Sequence, residues 1–132
     1  MSSLQQSDAE SAAVAVAPRV ALADIEAAIA DKFFLSGANA AEASLAVNGV
    51  VDQLSRDQHI EKFPTLGVLT LCVLVMRNGF TIIGKSAPAS PANFNADLGR
   101  KLAYEDCIRQ LWPLMGFSLR QRLHEASAHS NP

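Results

Sequence analysis

Apolar positions along this chain follow two different periods, and each period predicts its own element. Leu22, Ile25, Ile29 and Phe33 recur at spacings of three, four and four, which places them on one face of an N-terminal helix. Asp24 and Glu26 suit the positive end of that helix dipole and Lys32 suits the other end. The SGAN stretch, residues 36–39, reads as a break. Ala43, Val47, Val50 and Leu54 again fit helical register, but Asn48-Gly49 interrupts them. One helix with a weak centre and a helix followed by an irregular stretch both fit. Residues 55–64 form a polar connection that Pro64 closes.

The period then changes. LGVLTLCVLVM (66–76) and GFTIIG (79–84) are rich in β-branched and aliphatic residues, and Arg77-Asn78-Gly79 stands between them. Asn-Gly is a strong hairpin signal because both residues tolerate positive φ. A β-hairpin over 66–76 and 80–84 is therefore expected. Its first strand is apolar on both faces, with Leu69, Leu71, Val73 and Val75 alternating with Thr70, Cys72, Leu74 and Met76. Such a strand needs cover on both sides, from helices, further strands or a second subunit. After Ser90-Pro91, a good N-cap and first helical residue, Phe94, Leu98, Leu102, Ile108, Leu111, Trp112 and Met115 fall mostly on one stripe. That predicts a helix over 91–112, which Pro113 should kink or end, and a short last helix over about 116–125.

The expected fold is α+β: a β-hairpin or small antiparallel sheet packed against a long C-terminal helix and an N-terminal helix. Residues 1–18 and 125–132 read as flexible tails around one domain at 19–124. With 49% hydrophobic and 18% charged residues the chain reads as globular, and its net charge of −2 argues against a general nucleic-acid or membrane binder. The opening residues carry Asp8 and Glu10 before a weak apolar stretch, unlike a secretory signal, so an intracellular protein is expected. Cys72 and Cys107 belong to no C-x-x-C pair and read as reduced, buried small hydrophobes.

GFTIIGKS, residues 79–86, fits the G-x-x-x-x-G-K-[ST] pattern of a phosphate-binding loop. The four residues between its glycines are Phe80, Thr81, Ile82 and Ile83, which favour a paired strand over an open loop. The next helix also begins several residues too late to offer its N-terminus. The match is therefore read as coincidental. His59, His124 and His129 share no helical face with a suitable ligand, so neither a metal site nor an acid–base pair is expected, and no nucleophile, catalytic residue or cofactor site stands out. Lys85 and Ser86 at a strand end, with Arg100, Lys101, Tyr104 and Arg109 on the following helix, are the candidate ligand- or partner-binding residues.

Ordered landmarks extend over residues 69–123: Asn78-Gly79-Phe80-Thr81, Gly84-Lys85-Ser86-Ala87, Asn93-Phe94, Gly99-Arg100-Lys101, and Trp112-Pro113-Leu114-Met115-Gly116-Phe117. This stretch resembles a family of small tailed-phage and prophage proteins named for gene product 49 of one phage and gene product 66 of another. VALADIEAAIADKFF (20–34) is similar to that family's N-terminal helix. Two positions depart from its pattern. Lys85 stands where Glu is expected, and Pro88 where Cys is common, so neither an acidic role nor thiol chemistry carries over.

The resemblance implies a viral origin and action in the host bacterial cytoplasm, and it supplies no catalytic residues. On that basis the expected function is that of a non-enzymatic phage accessory protein that inhibits a bacterial anti-phage defence system. It would bind a defence protein or sequester a nucleotide signal. A DNA- or RNA-binding regulator of phage expression is the alternative. The two-sided apolar strand further suggests a homo-oligomer.

Overall fold

The fold was described from a computed structural model, which places residues 2–49, 58 and 61–130. Helix α1 (Ser3–Val14) and the short α2 (Leu22–Ala27) precede strand β1 (Ile29–Ser36) and helix α3 (Gly37–Asn48). A one-turn helix α4 (Phe63–Leu66) leads into β2 (Thr70–Met76) and β3 (Thr81–Ser86). A 3-10 turn (Pro91–Asn93) and the long helix α5 (Ala96–Ser130) complete the chain. The strands form one antiparallel sheet in the order β1-β2-β3, and α5 packs across one of its faces. The fold is α+β, as the hydrophobic pattern implies.

Strand alternation sets the core. Thr70, Cys72, Leu74 and Met76 on β2 are buried, while Leu71, Val73 and Val75 between them are half-buried. The buried set meets Ile82 of β3, Ile25 of α2, and Ala103, Cys107, Ile108 and Leu111 of α5. Ile25, Leu74 and Ile108 are fully buried, and each such side chain contributes roughly 1.5–3 kcal/mol.

The closest approach lies at Gly84. A Cβ built there would stand 2.6 Å from Cys107 Sγ and 2.9 Å from its backbone nitrogen, and closer still to the Ala103 carbonyl oxygen. Only glycine lets the helix backbone come so near the strand. This is why the buried stripe of α5 runs through the small residues Ala103 and Cys107. Leu98 and Leu102, expected on that stripe, are 49% and 40% exposed.

The structure corrects several expected elements. Ile29 and Phe33, assigned by spacing to the N-terminal helix, lie on β1, which pairs with β2 from Ile29↔Met76 to Ser36↔Thr70. A register shift between Ile29 and Asp31 sets Ile29 opposite Met76 and Phe33 opposite Val73, on the two faces of the sheet, and the ladder to β2 outweighs local helical preference. Ser36 does not break the chain but caps α3, its Oγ accepting from the Asn39 N–H at 2.9 Å. That helix ends at Asn48, and Gly49 takes φ 68°, so the Asn-Gly pair is a C-cap. Val50 to Leu54, the rest of that expected helix, lie outside the described residues.

Helices extend into both stretches expected as flexible tails, α1 near the start and α5 to Ser130. Ser2 and Gln5 form a reciprocal capping box at the start of α1. Asp8 Oδ1 accepts from the Leu22 N–H at 3.1 Å and from Arg19 at 2.9 Å, which joins α1 to the start of α2. These bonds, Leu22 first, lower the Asp8 pKa below the usual carboxylate value. Pro91 starts the 3-10 turn, and α5 begins later, where Asn95 Oδ1 accepts from the Leu98 N–H at 3.0 Å. The helix continues through Pro113 to Ser130. Packing around the proline holds that path: Trp112 Nε1 donates to the Val20 carbonyl at 3.2 Å, and Met115 packs against the core.

Three measurements follow from this core. Gly84→Ala should cost about 1–3 kcal/mol, read as a lower midpoint in urea with an unchanged slope. The Cys107 thiol donates to the Cys72 carbonyl at 3.5 Å, and burial pushes its pKa from 9.0 up to about 12. An unfolded chain would release that proton near its ordinary value, so the Cys107 contribution to stability is complete below pH 9.0 and is lost as pH rises toward about 12. Cys107→Ala should flatten the alkaline fall of Tm. In the native protein both thiols should resist an aromatic disulfide reagent at about pH 8, and both should react in denaturant.

Candidate functional site

The GFTIIGKS segment has no phosphate-binding loop in it. Thr81–Ser86 is a strand, paired with β2 from Val75↔Thr81 to Thr70↔Ser86. Gly79, at φ 90°, serves the hairpin turn: its N–H donates to the Met76 carbonyl at 2.9 Å, and the Met76 N–H donates to the Phe80 carbonyl at 2.8 Å. Asn78 does not take positive φ, as the Asn-Gly signal had suggested. Its side-chain oxygen instead accepts from the Phe80 N–H at 3.0 Å. Gly84 serves strand–helix packing, and the Lys85 N–H is bonded to Asp106 Oδ2 at 3.0 Å. The backbone donors that a phosphate would need face the neighbouring strand and the helix instead.

The six candidate binding residues fall into separate places. Lys85 is exposed on β3, on the sheet face away from α5, beside the strand edge that the helix covers. There Gln110 Nε2 donates to the Ile83 carbonyl at 2.8 Å. Ser86 lines a narrow cleft with Phe94, Gly99 and Leu102. Arg100 pairs with Asp97 and borders a different hollow, between the start of α5 and Phe34 of β1. Arg109 is exposed farther along the helix.

Lys101 and Tyr104 do come together. They border a cleft of about 410 Å3 with Leu4 and Gln5 of α1, Leu22 and Glu26 of α2, and Glu105. Tyr104 is half-buried, and Lys32 Nζ lies 4.7 Å from its ring centroid, in reach of a cation–π contact. Its hydroxyl pKa is raised to about 12, by burial first and then by Glu26. The ring is thus engaged within the protein. Glu105, beside them on α5, is only 7% exposed.

A feature the sequence pattern did not flag is an apolar groove of about 460 Å3 between the hairpin turn and α5. Met76, Phe80, Leu111, Leu114 and Met115 line it. Phe80 is 53% exposed, Leu114 47%, and Phe117, one turn beyond Leu114, 75%. The only signal for it was that Leu114 and Phe117 share one side of a helix that Pro113 was expected to end.

Among the described residues no group of three His, Cys, Asp or Glu side chains could hold a metal ion, and no helix is long and apolar enough to cross a membrane. Comparison with curated proteins and with solved structures returns no match. A family model does match, over residues 20–123, and its description is a phage protein family of the N4 Gp49 and phage Sf6 gene 66 type. The span includes the hairpin, the Gly84 contact and α5 through Leu123. The chain belongs to this phage protein family.

Proposed function

We propose that the protein is a non-enzymatic phage accessory factor that acts in the host bacterial cytoplasm. In this reading it inhibits an anti-phage defence system by binding one of its proteins. Family membership supports the phage context. The observation that carries the choice of protein over nucleotide is the separation of the basic groups. Sequestering a nucleotide signal takes several cations converging on one concave site, whereas Lys85, Arg100 and Lys101 border different surfaces. The exposed apolar side chains Phe80, Leu114 and Phe117 offer the kind of contact that anchors protein complexes.

Nucleic-acid binding draws less support. At about 100° per residue, Arg109 and Arg120 point the same way from α5, while Arg122 lies about 160° from Arg120. The basic residues form no single stripe.

The test is a pull-down of the tagged protein from bacteria carrying a defence system, with the eluate divided between protein identification and mass spectrometry of heat-released small molecules. The expected result is a stoichiometric defence protein whose recovery falls about tenfold with Phe117→Asp and is unchanged with Arg100→Ala. A released nucleotide that disappears with Arg100→Ala would replace this reading with signal sequestration. Recovery of nucleic acid, weakening steeply with salt, would replace it with the regulator.

A further inference from the structure

The sheet has a second face, turned away from α5, and strand register fixes its composition. Three rows of side chains cross it: Asp31, Val75 and Thr81; Phe33, Val73 and Ile83; Leu35, Leu71 and Lys85. Phe33 and Ile83 are 56% and 61% exposed, and Leu71, Val73 and Val75 are half-buried. The middle row is therefore wholly apolar and open at both ends. Among the described residues of the three strands, the charges on this face are Asp31 and Lys85, which occupy diagonally opposite corners, one on each outer strand.

We infer that this face pairs with the same face of a second copy of the chain, and the charge placement is the reason. Packed sheets cross either nearly aligned or nearly at right angles. In a right-angle crossing, a two-fold axis lies in the interface and runs along the Leu35–Thr81 diagonal. That axis sets Val73 over Val73, turns the Phe33 row onto the β2 row, and lays Asp31 of each copy over Lys85 of the partner subunit. One symmetric contact thus satisfies both charges twice and buries the middle row. Two-fold pairing requires self-complementarity of this kind, whereas an unrelated partner would have to match both corners independently. The β3 edge favours face-to-face over edge-to-edge association, because Asp106 and Gln110 already occupy the Lys85 N–H and the Ile83 carbonyl. The inference needs nothing from the host and does not rest on the proposed target.

Sedimentation equilibrium of the purified full chain, up to about 100 µM, tests it. The expected result is a reversible monomer–dimer equilibrium that weakens with added salt. Asp31→Lys and Lys85→Asp should each weaken the dimer about tenfold or more. An equimolar mixture of the two variants should restore it as a heterodimer, because both corner contacts are then complementary. Ile83→Asp should give a monomer with an unchanged circular dichroism spectrum, which separates loss of pairing from loss of fold. A wild-type monomer throughout this range would overturn the proposal, as would a dimer indifferent to both charge reversals. If the protein stays monomeric and Ile83→Asp abolishes capture of a host protein, the face belongs to that protein and not to a second copy.

Discussion

The absence of a side chain at residue 84 sets how closely α5 can lie on the sheet. Gly84 puts the backbone of β3 against Ala103 and Cys107, and the rest of the core is arranged around that contact. Cys107 then reaches the Cys72 carbonyl, and Ile108, Leu111 and Ile25 join Leu74 and Met76 in one buried cluster. A larger residue at 84 would lift the helix and loosen every one of these contacts, because interiors are packed with little room to relax. The same contact explains why small residues line the buried stripe of the helix where larger ones were expected.

Close packing also lets the helix manage one edge of the sheet. Asp106 and Gln110 project from α5 far enough to take an outward N–H and an outward carbonyl of β3. Both are polar groups that an edge strand would otherwise present to solvent or to another chain. On the opposite side Lys32 of β1 lies over Tyr104, so side chains of both outer strands or their backbones are tied to the helix. Asp8 extends this bracing to the N-terminus by joining α1 to Arg19 and Leu22.

Much of this was legible in the sequence where the signal was local. The hairpin was marked by Asn78-Gly79 between two apolar runs, and the fold class followed from it. What escaped was decided at long range. Ile29 and Phe33 have a spacing that fits a helix, and only the edge of β2, some forty residues later, draws them into a strand, with a register shift that parts them to opposite faces. Helix α1 carried a readable Ser2–Gln5 capping box, but it lacks an apolar stripe, and Asp8 and Leu4 anchor it. Pro113 is a helix breaker by local rules. Here the contacts of Trp112 and Met115 outweigh it, and no window of sequence displays them. The candidate basic residues were chosen one by one for their chemistry. Their separation depends on which strand and which side of α5 each occupies, and that is a property of the fold.

The three letters Gly-Lys-Ser are under unlike constraints, and this bears on how the chain can drift. Position 84 is held by volume: any Cβ meets the helix. Within one copy of the fold, position 85 is held through its main-chain N–H, which Asp106 accepts and which every residue except proline supplies. A single copy can therefore exchange lysine there for glutamate without moving an atom of the core, and what such an exchange alters is the contact with Asp31 inferred for a pair of copies. A string that spells a nucleotide-binding loop can then arise or disappear by substitution at one position that the core does not constrain, without any role for a nucleotide.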